Sequence, residues 1–169
     1  MTAALRKLLC AIIALNAVLC GAIAAPLNFH VICEKKRFDV ERGSTPSTTT
    51  SREQWGYSVI IENKTFKLQE NLNVEYRQYV LDDVATGKPK LTSHSSKTAI
   101  AALANGAKFK FDTAPVPIEK EELKANYSRA GKEKVKDTLS GLWLRIIKDG
   151  QTVHEFCSPP DLKNKAKWD

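Results

Sequence analysis

The chain is 169 residues long, 43% hydrophobic and 27% charged, with 26 Lys and Arg against 19 Asp and Glu and a formal net charge of +7. That length supports one domain with a proper core and excludes two ordinary ones. The basic residues are dispersed, as where Lys132, Lys134 and Lys136 alternate with Glu133 and Asp137, which describes a solvated surface with some attraction for anionic material and no nucleic-acid-binding module.

At the N-terminus, Arg6 and Lys7 precede an apolar run from Leu8 to Leu19, and Ala22-Ile23-Ala24 offers small residues where a signal peptidase reads. The pattern predicts a signal peptide over residues 1–24 and one exported domain over residues 25–169, periplasmic or extracellular. The run is shorter than the roughly 20 residues of a membrane-spanning helix, so no stable span is expected after cleavage. Leu19 stands where a lipoprotein needs a small residue before Cys20, and a cut after Ala25 would leave Pro26 first; cleavage after Ala24 fits best. Loss of the leader takes the formal charge from +7 to +5 and removes Cys10 and Cys20.

Cys33 and Cys157 remain. An oxidising compartment would allow them a disulfide, which in the chain-entropy model stabilises by about 2–4 kcal/mol. Two buried thiols are the competing arrangement, since cysteine packs as a small hydrophobe.

Alternating apolar positions predict strands at Phe29-Val31-Cys33, continuing at Phe38 and Val40, then at Tyr57-Val59-Ile61, Leu72-Val74-Tyr76 and Phe109-Phe111. Between the first two lies a polar, low-complexity loop over residues 43–54, too poor in apolar surface to order itself. Turns are expected at Thr86-Gly87-Lys88-Pro89 and at Asn105-Gly106, the latter ending a strand over 97–103. Glu119 to Ala125 could form one or two helical turns. Asn63-Lys64-Thr65 and Asn126-Tyr127-Ser128 match the N-glycosylation pattern.

The clearest local element is a hairpin over Leu142–Cys157 folded at Asp149-Gly150, a type I′ turn signal. Folding there pairs Ile147 with Thr152, Ile146 with Val153 and Trp143 with Phe156, and sets Arg145 opposite His154. Residues 159–169 form a basic tail.

Seven to eight short strands with at most one short helix predict an all-β sandwich. A strand ending in Asn63, a following strand Leu72–Tyr76, the Leu103-Ala104-Asn105-Gly106 turn and the closing stretch from Leu139 through Asp149-Gly150 to Trp168 sharpen this. Together they resemble exported bacterial immunoglobulin-like and fibronectin-III-like sandwich proteins of uncharacterised function. The resemblance spans roughly residues 57–168 and brings no catalytic residues. It departs from antibody domains, because no cysteine pair flanks a central tryptophan.

No catalytic, cofactor or metal site is expected. His30, His94 and His154 are far apart in sequence, Asp82-Asp83 reads as a strand end, and nucleophile and phosphate-loop motifs do not occur. Trp55, Tyr79 and Trp168 are the candidate ligand-facing aromatics, with core capping as the competing role. The resulting expectation is a non-enzymatic exported module for protein interaction or envelope structure, with an unknown protein or anionic envelope component as partner. A carbohydrate-binding module using those aromatics, and hence a glycan partner, is the alternative.

Overall fold

Each apolar alternation becomes a strand with one buried face. The computed structural model describes residues 27–83, 88–124 and 134–168. The expected leader, Thr86-Gly87 and the Asn126-Tyr127-Ser128 acceptor lie outside the described residues. The first strands are β1 (Phe29–Ser44), β2 (Thr48–Asn63), β3 (Gln69–Asp82), β4 (Lys90–Leu103) and β5 (Lys108–Asp112). They are followed by β6 (Val116–Leu123), β7 (Lys134–Lys136), β8 (Thr138–Lys148), β9 (Gln151–Ser158) and one short helix, α1 (Leu162–Lys165).

The strands form an all-β sandwich of two antiparallel sheets. One has the order β1-β2-β6-β7 with β5 also on β2, and the other is β4-β3-β8-β9. β5 takes the second half of β2, from Ser58 to Glu62, and β6 takes the first half, from Thr48 to Trp55. The two therefore act as one strand interrupted at Thr113-Ala114-Pro115, where Pro115 has no N–H to donate. The inward faces meet in a core of Tyr57, Val59 and Ile61 against Leu72, Val74, Tyr76, Leu142, Leu144 and Ile146, all buried. The seven aliphatic side chains among these are each worth about 1.5–3 kcal/mol on full burial, set against chain entropy.

Asn63 ties two parts of the motif together. It is fully buried, and its Nδ2 donates to the carbonyls of Lys67 and Leu103, each at 2.8 Å. Its Oδ1 accepts from the N–H and hydroxyl of Thr65, while its backbone pairs with Gly106 and Ala107. The side chain is thus occupied as a structural lock, and this acceptor pattern is not available to a glycan in the folded chain.

Two expectations are corrected. Residues 48–54 are strand rather than loop, with Gly43 opposite Thr50 and Glu41 opposite Arg52; only Thr45–Ser47 turn. Backbone pairing of β2 on both sides orders this polar stretch without apolar burial. Glu119 to Leu123 are strand, not helix: pairing to Thr48–Arg52 and the Arg52–Glu119 ion pair at 2.6 Å override local propensity. The helix of the described residues instead lies in the tail.

The hairpin turns at Asp149-Gly150, both at positive φ (51° and 77°). Ile147 pairs with Thr152 as expected, but a bulge then shifts the register. Ile146 faces His154, Leu144 faces Phe156, and Trp143 faces Cys157 rather than Phe156. Val153 is the extra residue, held by burial of its side chain and by the N–H of Leu27 donating to its carbonyl at 2.9 Å.

Candidate functional site

The site grows from the period of β8. Leu142, Leu144 and Ile146 enter the core, so Trp143 and Arg145 project from the opposite face of the four-stranded sheet. Two cross-strand rows result there. One runs Ser95, Arg77, Trp143, Cys157; the next runs Lys97, Glu75, Arg145, Glu155, alternating in charge.

The C-terminal tail covers part of this face. Leu162 and Ala166 are buried on Tyr79 and Trp143 as a second small core. Gly141 permits the approach, because a Cβ there would meet Leu162 and the Ser158 carbonyl at 2.8 Å. The hydroxyl of Tyr79 donates to the Lys167 carbonyl at 3.0 Å, which fixes the chain end. Trp168 then meets Trp143 edge-on, with ring centroids 5.5 Å apart.

Cations surround the exposed part of this pair. The Arg145 guanidinium is 4.3 Å from the Trp168 ring centroid, and that of Arg77 is 5.0 Å from it. Glu155 organises the cluster, accepting from Arg145 Nε at 2.8 Å, from Trp143 Nε1 at 2.9 Å and from Lys163. Burial alone would raise its carboxyl, but these donors, Lys163 foremost, outweigh that and hold it down at about 2. Beside Trp168 an open groove of about 370 Å³ is lined by Glu75, Arg77, Ser95, Ser96 and Lys97.

The sequence-predicted aromatics are not brought together. Tyr79 is 3% exposed beneath the tail. Trp55 lies half-buried against the main core, its Nε1 donating to Glu53 Oε2 at 2.6 Å, in the core-capping role. Trp168, like Trp55, keeps part of its ring at the surface. Arg145 faces Glu155, not His154, because of the Val153 bulge. His154 packs edge-on to Phe29, and burial lowers its pKa. The sequence alone does not single out Arg77, Glu155 and Lys163; the alternation of β3 and β9 places the first two on this face once the register is known.

Cys33 and Cys157 are free thiols, the packed arrangement rather than the possible bridge. Cys33 packs on the main core, where its thiol meets the Ser158 side chain, whereas Cys157 packs in the small outer core. One residue of register separates Ser158 from Cys157 and sends them to opposite faces.

A cavity of about 680 Å³ is bordered by both signs of charge, Glu41, Asp83 and Glu119 with Arg42, Arg52 and Lys120. Within it Asp137 accepts the backbone N–H groups of Asp83 and Glu119. Among the described residues no group of three or more His, Cys, Asp and Glu could hold a metal ion, and no helix is long and apolar enough to cross a membrane.

No protein-family model matches the chain, and no curated protein is significantly similar to it. Five chains of solved structures match, among them the following two. The X-ray structure of Northeast Structural Genomics Consortium target SoR45 is 10% identical over 76% of this chain and 79% of that one, with a TM-score of 0.35. A crystal structure from Akkermansia muciniphila is 8% identical over 80% of this chain and 73% of that one, with a TM-score of 0.29.

Proposed function

We propose that this chain is an exported, non-enzymatic module of the fibronectin-III type that holds an anionic envelope component, or the acidic surface of an envelope protein, against the outer face of its four-stranded sheet. The strand order supports the family reading: β1-β2-β5/β6 beside β4-β3-β8-β9 corresponds to A-B-E beside C′-C-F-G in immunoglobulin lettering. Export rests on the Arg6-Lys7 lead, the apolar run and Ala22-Ile23-Ala24.

One observation carries the function: Arg77 and Arg145 both lie within 5.0 Å of the half-exposed Trp168 ring. Each such contact is worth only about 0.5–1 kcal/mol at a surface. Their value lies in preorganisation, since Glu155 and the docked tail order these side chains before a partner arrives. The test is binding of residues 25–169 to acidic and neutral glycan arrays and to anionic and neutral lipid vesicles. Retention on acidic material that falls with salt, and is lost in Arg77→Glu/Lys97→Glu, is the expected result. Indifference to charge would overturn it.

The carbohydrate-binding reading retains one specific support, the Trp168 ring in one groove with Ser95, which shares its face of the sheet. A single ring fits one sugar residue rather than an extended platform. Retention on neutral glycans, abolished by Trp168→Ala and insensitive to salt, would favour it.

A further inference from the structure

Sheet edges offer unpaired backbone groups to other strands, and natural proteins blunt them with charge, bulges, proline or shortness. Four of the five edges here are blunted, that of β5 by its length of 5 residues. β1 carries Glu34-Lys35-Lys36-Arg37 and a bulge between Arg37 and Asp39. β7 has 3 residues, and β9 has 8 and carries the Val153 bulge. β4 has neither bulge, proline nor shortness, and its charge is limited to Lys90 and Lys97. It is 14 residues long, carries no proline, and pairs with β3 from Lys90 to Leu103 without a register shift. Among the described residues no strand pairs with its other side. Ile100 and Leu103 anchor it in the core, while Ser93 to Lys97 are exposed. Among the described residues it is an uncovered template.

We infer that β4 pairs antiparallel with the β4 of a second copy of this chain, about a two-fold axis at Ser95. The argument is self-complementarity. In that register Ser95 faces its counterpart, His94 faces Ser96, Thr92 faces Thr98, and Lys97 faces Ser93. Hydroxyl pairs of this kind favour cross-strand contact, and like charges directly opposite would oppose it. The charged residues of β4 are Lys90 and Lys97, and neither meets a lysine, since Lys90 falls opposite Ile100. The two Lys97 residues lie four positions apart along the strand, about 14 Å, beyond the Debye length of about 8 Å at physiological salt.

The pairing has a consequence for recognition. A two-fold axis at an antiparallel pair stands perpendicular to the sheet, so both copies present the same face. The two grooves lined by Ser95, Ser96, Lys97 and Trp168 would adjoin across the axis and offer a bivalent surface on one continuous sheet. The dimer does not depend on the anionic-partner reading: it is read without any ligand, and either can fail alone.

The experiment is sedimentation of residues 25–169 from about 1 μM to about 1 mM, where a weak dimer dissociates, for wild type, Ser95→Lys and Ser95→Asp. The expected result is a reversible monomer–dimer equilibrium weakened at least about tenfold by either charge, which amounts to about 1.4 kcal/mol. An equimolar mixture of the two variants should recover the association. Hydrogen exchange on wild type should show protection of Ser93 to Lys97 amides rising with concentration. A monomer at every concentration would overturn the proposal, as would a dimer indifferent to Ser95 or weakened by only one sign of charge.

Discussion

The side-chain amide of Asn63 donates to the carbonyl of Leu103 at 2.8 Å, across 40 residues of chain. That bond joins the end of β2 to the Leu103-Ala104-Asn105-Gly106 turn, two pieces of sequence that look unrelated until the sandwich closes. Asn63→Ala would leave the Leu103 and Lys67 carbonyls and the Thr65 N–H without this partner. Each unsatisfied buried group costs about 1–3 kcal/mol. We expect the variant to lose at least about 2 kcal/mol of unfolding free energy, measured by urea denaturation; an unchanged midpoint would contradict the lock.

Glu155 should mark the acid limb of the stability curve. Its carboxyl is held at about 2 against an ordinary value of 4.5. A depressed folded-state pKa stabilises above the unfolded value, and that contribution fades as pH falls from about 4.5 toward 2. Glu155→Gln should therefore be less stable than wild type at pH 7, with the difference shrinking through that window. Thermal melting at pH 7, 4 and 2.5 checks it, and a constant gap would show that the carboxylate is not the source.

The turn at Gly150 can be tested on backbone grounds alone. Its φ is 77°, and a Cβ there would meet nothing within 4 Å. Gly150→Val should cost more than about 1 kcal/mol through backbone strain, whereas Gly150→Asn, which tolerates that region, should cost much less. Equal losses would mean that crowding rather than φ governs the site.

The free thiols predict two labelled cysteines per chain residues 25–169 after denaturation without reductant. In the native state labelling at neutral pH should be slow, because burial raises both thiols, Cys157 to about 11, and the thiolate is the reactive form. Thiols that label only after reduction would establish the bridge instead.

The leader predicts an exported protein that begins at Ala25. Intact-mass measurement of the exported fraction checks this, and retention of Met1 to Ala24, or lipid on Cys20, would refute it.

Much of the architecture is written locally. The alternation in Tyr57-Val59-Ile61, Leu72-Val74-Tyr76 and Leu142-Leu144-Ile146 specifies buried strand faces, because a period of two puts every second side chain on one side. Asp149-Gly150 specifies its turn, because positive φ at both residues is a property of those residues themselves. By themselves, these residues determined an all-β sandwich and its closing hairpin. Tertiary structure decided what depends on partners distant in sequence. Thr48 to Gln54 became strand because neighbouring strands on both sides took up their backbone groups, a contribution that polarity conceals. The patch around Trp168 has the same origin. Arg145 meets Glu155 rather than His154 only because Val153 bulges into the core, and Arg77, on a strand more than sixty residues earlier, reaches the same ring only through the β3–β8 register. A single-residue shift exchanges the faces of a strand, so no local reading of side chains can assign that site before the register is known.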